Sequence, residues 1–324
     1  MLFNMKAIVV KNFGGPEALQ LEEIEAPRPG PGQVLIRVHA AGINPVETYI
    51  RAGTYAKLPA LPFTPGTDGA GIVEQTGDGV KAFAPGSRAW FFGTATGSYA
   101  EYALCAEEQA HPLPERVTFA QGAAVGVPYV AAHRALFIRG TGRPGETVLI
   151  HGATGGVGLA AVQLARARGL TVFATGGTEQ GRIAAFENGA HQVFDHRALG
   201  YADEILAATG GNGVNLIVEM LANINLARDL TLLARRGRVV IVGSRGRIEI
   251  DPRDTMARET DIRGMISFSG TPGEMAAAYA AIGAGLENGT LRPVVGREFP
   301  LAEAARAHQA VTTPGALGKI VLSI

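Results

Sequence analysis

Four glycines in eight positions, His151-Gly-Ala-Thr-Gly-Gly-Val-Gly158, lie between the apolar run Glu146-Thr-Val-Leu-Ile150 and the helix-like Leu159-Ala-Ala-Val-Gln-Leu-Ala-Arg166. Such a junction suits one kind of chemistry. A dinucleotide diphosphate is doubly anionic and must approach bare main chain, which side chains would obstruct. A helix N-terminus then adds free N–H groups and a positive dipole end. The register Ala153-Thr-Gly155-Gly156-Val157-Gly158 follows G-x-G-x-x-G, with Ala153 in the place of the first glycine. Gly155, Gly156 and Val157 are the expected backbone donors. Gly158 is expected to let the helix pack closely on the strand.

The second strand of such a unit ordinarily ends in Asp or Glu when the ribose carries a free 2′-OH. Here it ends Ala174-Thr-Gly-Gly-Thr178, with Glu179 one residue later. A carboxylate at the strand tip would repel a 2′-phosphate, so its absence permits NADP(H). Arg182, His196 and Arg245 are candidate phosphate partners. Arg182 also suits an ordinary solvated helix position.

The elements that must hold this turn can be read from texture. Residues 126–264 alternate short apolar strands with helices, which implies a parallel sheet covered on both faces. Residues 1–125 alternate apolar runs with turn signals such as Pro27-Arg-Pro-Gly-Pro-Gly32, as in a β-rich domain with long loops. From residue 265 the chain is expected to return to that first domain. The fold class is therefore α/β, a β-rich domain with an inserted doubly wound parallel-sheet domain. A length of 324 residues suits two domains.

Lys+Arg and Asp+Glu are both 29, so charge gives no reason to expect nucleic acid or an anionic membrane as partner. The single cysteine, Cys105, excludes an intramolecular disulfide and a cysteine-rich zinc site. It reads as a small buried hydrophobe. No apolar stretch reaches the roughly 18 residues of a membrane span, and Met1-Leu-Phe-Asn-Met-Lys-Ala7 lacks the features of a signal peptide. A soluble cytoplasmic protein is expected. His151 reads as structural, with no ligand partner nearby in sequence. Arg235-Arg-Gly-Arg238 reads as a solvated helix end.

Several longer stretches carry a resemblance. They are Ala41-Gly-Ile-Asn-Pro-Val-Glu-Thr-Tyr-Ile-Arg51, Gly97-Ser-Tyr-Ala-Glu-Tyr-Ala103, Gly145 to Arg166, Glu219-Met-Leu-Ala-Asn223, Val242-Gly-Ser-Arg245 and Pro252-Arg-Asp-Thr-Met-Ala257. In these the chain resembles the zeta-crystallin and NADPH:quinone oxidoreductase family of medium-chain dehydrogenase/reductases, over nearly its whole length. The resemblance implies a GroES-like catalytic domain (1–125 and 265–324) with an inserted Rossmann-type NADPH-binding domain (126–264). By position it implies cofactor contacts at Tyr49, Thr154 to Val157, Gly177, His196, Asn225, Val242, Gly243, Ser244 and Arg245. The strand backbone at Met265, Ile266 and Ser267 completes the set. Ala131 stands where many relatives carry Thr, and Thr154 where they often carry Ser or Ala.

The wider family's zinc alcohol dehydrogenases need a Cys after an Ala-Gly pair and a His in Gly-His-Glu. Here those positions are Asn44 and Thr67, and no four-cysteine lobe exists. No catalytic metal is expected. Without a Lewis acid, oxidation of an unactivated alcohol is disfavoured. A quinone needs less help: the protein positions the rings, excludes water and hydrogen-bonds the developing oxyanion. Asn44, Tyr49, Tyr55 and Thr67 can supply polar groups, and the resemblance places them around the nicotinamide and substrate cleft. Read alone, Asn44 before Pro45 also suits a turn, the tyrosines suit packing, and Thr67 suits a loop.

The leading expectation is a zinc-free NADPH-dependent quinone reductase, passing one electron at a time or a hydride. The alternatives are reduction of α,β-unsaturated carbonyls and, from another class, a nucleotide- or RNA-binding structural protein. The resemblance further implies a homodimer or homotetramer.

Overall fold

The computed structural model describes residues 3–315 and 317–324. Two compact units emerge: Met1–Val127 with Gly283–Ile324, and Pro128–Ile282.

In the second unit six parallel strands lie in the order Gln192–Phe194, Thr171–Thr175, Thr147–Ile150, Val214–Glu219, Leu233–Ile241 and Asp261–Gly264. Numbered along the chain this is 3-2-1-4-5-6, the doubly wound order expected from the alternation of strands and helices. Val148, Leu149, Ile150, Leu216, Ile217, Val218, Val239 and Val240 are all fully buried. Runs without alternation of this kind belong to strands covered on both faces. The order reverses at Thr147–Ile150, whose neighbours on either side connect outward. A crevice at the carboxyl ends of the strands opens at such a switch point.

In the first unit the long strand Gln33–Ile43 is the hub. It pairs antiparallel with Asp68–Thr76, with Tyr102–Ala106 and with the last strand, Lys319–Ser323. Val34, Ile36 and Val38 alternate onto one face and meet Phe91, Tyr99 and Leu322 in the core. The register sets Ile320 opposite Ile43, which brings Lys319 to Asn44. Gly42 is required there. A Cβ on it would stand 2.4 Å from the Ala123 carbonyl oxygen and 2.5 Å from Asp68 Oδ1.

Three local expectations change. The chain rejoins the first unit at residue 283 rather than 265. Arg134 binds Glu274 at 2.8 Å, and Ala278 and Ile282 are fully buried, so the first turns of the helix Pro272–Asn288 belong to the second unit. The strand backbone expected at Met265, Ile266 and Ser267 is not formed, because the strand ends at Gly264. Met265 N–H makes a last bond to the Ile241 carbonyl, and the chain then turns, with Ser269 N–H on the Ile266 carbonyl. Finally, Arg235 to Arg238 lie in the strand Leu233–Ile241, not at a helix end. Arg238 is buried in a two-pronged pair with Glu146 at 2.7 Å to each carboxylate oxygen. No helix among the described residues is long and apolar enough to cross a membrane.

Candidate functional site

The glycine turn follows the switch-point strand. Gly152 has φ +57°, a left-handed conformation that favours glycine. Gly158 answers a different need: a Cβ there would lie 2.3 Å from the Gly152 carbonyl oxygen and 2.5 Å from Ala153 Cα. The turn is also tied sideways, by Ala153 N–H to the Thr175 carbonyl at 3.0 Å. The helix Gly156–Ala167 starts at N-cap Gly155 with no side-chain cap. Its first-turn N–H groups, on Gly156, Val157 and Gly158, therefore have neither an intrahelical partner nor a capping side chain. Gly155, expected as a donor, instead gives its N–H to the Gly152 carbonyl at 3.3 Å.

The next strand ends without a carboxylate, and Thr178 caps the following helix through Gly181 N–H. A Cβ on Gly177 would meet His196 Nε2 at 2.7 Å and Arg197 Nε at 2.8 Å. Glycine here lets two basic side chains lean over the strand tip. Arg197 went unnoticed in the sequence, although it directly follows His196. Arg182 is engaged elsewhere, with Nη1 2.7 Å from Asp195 Oδ2. Its expected phosphate role meets a carboxylate already in place. The remaining positions follow the strand ends. Asn225 Nδ2 donates to both oxygens of Glu219 at 3.1 and 3.3 Å. Gly243 faces the Met220 carbonyl, which a Cβ would approach to 2.6 Å. Ser244 and Arg245 are exposed, and Arg245 N–H is held by Asn223 Oδ1 at 2.8 Å. Met265, Ile266 and Ser267 lie beyond the edge strand rather than in it. Thr154 packs its Cγ2 2.8 Å from where a Gly176 Cβ would be.

His151 has the partners that its sequence neighbourhood did not reveal. Its Nε2 is 2.9 Å from Asp229 Oδ1 and 3.8 Å from Glu219 Oε2, and its Nδ1 is 3.2 Å from Thr175 Oγ1. All four are buried. Burial alone would lower the imidazole pKa, but the Asp229 charge and contact outweigh it, and His151 is raised. Burial drives Glu219 up to about 7. Among the described residues these three form the one group with metal-ligand types in reach of each other.

In the first unit the candidate residues gather around the helix Pro45–Arg51 and the start of the strand Asp68–Thr76. Asn44 is the N-cap, and Glu47 reaches back to its N–H at 2.8 Å. Asn44 Nδ2 donates to Asp68 Oδ1 at 2.9 Å and to Glu47 Oε1 at 3.2 Å, while its Oδ1 accepts from Lys319 Nζ. Both amide protons of Asn44 are thus used within the protein, and the residue is 3% exposed. Asn44 was expected to offer a polar group to substrate; in this structure its amide N–H groups are engaged by Asp68 and Glu47 instead. Glu47 also accepts the Thr67 main-chain N–H at 3.1 Å and the Tyr99 hydroxyl at 2.6 Å. Burial and the neighbouring Asp68 push Glu47 up to about 7. Tyr49 and Thr67 are half-buried, and Tyr55 is exposed. Glu47, Asp68, Tyr99, His308 and Lys319 were not singled out from sequence. Only Glu47 carried a signal, as the acid three residues after an Asn N-cap.

Two family models match the chain: a zinc-binding dehydrogenase model over residues 156–283, and an alcohol dehydrogenase GroES-like domain over residues 30–115. A quinone oxidoreductase of Rattus norvegicus is 53% identical over 320 residues, covering 98% of this chain and 97% of its own. Among solved structures, an NAD-dependent alcohol dehydrogenase superposes with a TM-score of 0.92 at 28% identity, over 99% of this chain and 100% of that one. Escherichia coli quinone oxidoreductase complexed with NADPH gives a TM-score of 0.87 at 29% identity, over 99% of each chain. The fold is shared with an alcohol dehydrogenase, and fold alone does not choose between activities. Identity of this extent along the whole length does decide the family: the chain belongs to the zeta-crystallin-like quinone oxidoreductase family of medium-chain dehydrogenase/reductases.

Proposed function

We propose that this protein is an NADPH-dependent quinone reductase that works without zinc. The observation that carries the reading is the 53% identity, over 98% of the chain, to a quinone oxidoreductase. The nucleotide turn fits the cofactor. Uncapped N–H groups of Gly156, Val157 and Gly158 hold the diphosphate, and Gly155 leaves open space above them, with no atom closer than 3.9 Å to its would-be Cβ. Beside the ribose, the strand tip offers His196 and Arg197 instead of a carboxylate, which favours a 2′-phosphate. The bound dinucleotide supplies the reducing equivalents.

The chain's own part is to bind, orient and stabilise. The Thr67 hydroxyl and the Tyr49 and Tyr55 phenols donate to the acceptor's oxygens as charge develops there. Asn44, Glu47 and Asp68 fix the segments that carry them. The reduced oxygens take their protons from solvent, so no buried general acid is required.

The name of the matched dehydrogenase model implies zinc, and the residues do not fit it. Asn44 and Thr67 stand where zinc relatives have Cys and His, and the Lys319 ammonium lies against Asn44 and Asp68. A dication would have to displace that cation. The His151 trio is occupied by its own contacts to Thr175 and Asn225.

We also take the protein to be a cytoplasmic homo-oligomer. Among the described residues the strand Asp261–Gly264 is the last of its sheet, and exposed Ile262 and Ile266 lie along or just beyond it. Light scattering on the purified protein tests the oligomer.

Steady-state NADPH oxidation with and without a small quinone tests the activity, with EDTA and a metal assay alongside. Quinone-stimulated turnover that prefers NADPH to NADH and ignores EDTA is expected. NADPH oxidation that no quinone accelerates would overturn the reading.

A further inference from the structure

The acceptor-side cluster holds a cation of its own. Lys319 is 4% exposed, and its Nζ donates to Asn44 Oδ1 and lies 3.4 Å from Asp68 Oδ2. An ammonium this deep is tolerated only where charge and hydrogen bonds compensate it. Asp68, itself fully buried, is the compensating charge.

The Asn44 amide is what this ammonium controls. Oxygen and nitrogen of an amide are nearly equal in size, so packing barely distinguishes its two orientations. Electrostatics distinguishes them sharply. In the structure the carbonyl faces the ammonium and the N–H groups face Asp68 and Glu47. Turned over, N–H would face the ammonium and the carbonyl would face two carboxylates. Every one of those contacts is repulsive.

The chosen orientation propagates. Glu47, held by the amide, receives Thr67 N–H at 3.1 Å and Asn44 N–H at 2.8 Å. Asp68, next in sequence to Thr67, receives Val127 N–H at 2.9 Å on its other oxygen. The helix that carries Tyr49 and the loop that carries Thr67 are therefore joined through carboxylates whose charge the ammonium offsets.

We infer that Lys319 is a positioning residue for acceptor reduction. From the last strand of the chain, its ammonium sets the Asn44 amide and, through Glu47 and Asp68, the placement of Thr67 and Tyr49. The inference rests on the quinone reductase reading only for its kinetic arm.

The test compares wild type with Lys319→Met and with the double variant Lys319→Met/Asp68→Asn, which leaves no unpaired charge from that couple and guards against loss of folding. Three quantities are measured: kcat/KM for a small quinone, the NADPH dissociation constant by fluorescence, and main-chain hydrogen exchange at Thr67 and Tyr49. Both variants should lose about tenfold in kcat/KM for the quinone, keep NADPH affinity within about twofold, and exchange Thr67 N–H faster. Wild-type quinone kinetics with unchanged Thr67 exchange in either variant overturns the inference, as does a parallel loss of NADPH affinity. Recovery in the double variant alone also overturns it, because the ammonium would then be only a neutraliser. If wild type itself turns over no quinone, the functional reading fails and the exchange measurement still decides the role of Lys319.

Discussion

The Tyr99 hydroxyl donates to Glu47 Oε2 across 2.6 Å and lies 3.1 Å from Nε2 of His308, a residue 209 positions away. Burial first, then the Glu47 charge, raises the phenol well above its ordinary range, so it remains a proton donor. The replacement Tyr99→Phe leaves Glu47 one donor short inside the core. A loss of about 1.5–3 kcal/mol in urea unfolding is expected. A change below about half a kcal/mol would mean that the hydroxyl contributes nothing to the carboxylate's stability.

Gly158 tests the nucleotide turn. In Gly158→Ala the new methyl meets the Gly152 carbonyl oxygen at 2.3 Å, and a main-chain atom cannot swing aside. The helix start must move away from the turn. NADPH affinity should fall roughly tenfold, about 1.4 kcal/mol, as read by fluorescence titration. Unchanged affinity would show that the first-turn N–H groups are not the diphosphate site.

The choice between NADPH and NADH should depend on Arg197 more than on Arg182. Arg197 leans over Gly177, whereas Arg182 is paired with Asp195 at 2.7 Å. Arg197→Ala is expected to weaken NADPH roughly tenfold with little effect on NADH. Arg182→Ala should affect the two nucleotides alike. The opposite ranking would move the phosphate site to the Arg182 side.

Acid stability should respond to His308. Burial lowers its pKa from 6.5 to about 3. Between those values the unfolded chain binds a proton that the folded chain refuses, so stability falls as pH falls, by at most about 1.4 kcal/mol per unit. His111 and His133, each lowered to about 4 by burial, act in the same direction. Glu47 and Glu219, both raised to about 7, act in the opposite direction. The sensitive comparison is therefore the difference between variants. From about pH 7 to about pH 5, His308→Gln should lose less Tm than wild type. Equal losses would mean that His308 is protonated in the folded state.

Much of the second unit could be read directly from the chain. Glycines at 152, 155, 156 and 158 between an apolar strand and a helix place the turn, and the missing carboxylate after Ala174-Thr175 marks the nucleotide class. These are local requirements: a left-handed φ at Gly152, no room for a Cβ at Gly158, no charge at a strand tip. Each is met by residues adjacent in sequence, so each leaves a trace there. Asn44 was legible as a special position, but its role was not. Its local sequence, with Pro45 after it, says that a helix starts there. Nothing in it says that both amide protons will be taken.

What the sequence alone determined is the alternation of strand and helix, the phosphate turn and the absence of cysteine or histidine ligands at Asn44 and Thr67. Only the tertiary structure decided which polar groups meet in the core. Lys319 contacts Asn44 across 275 positions, and His151, in the turn after the strand Thr147–Ile150, finds Asp229 on the helix Ala222–Leu232 only through tertiary packing. Periodicity and composition report how each residue relates to its own element. Pairing of buried charges depends on sheet register and on burial from several elements at once, and neither is encoded in any single stretch.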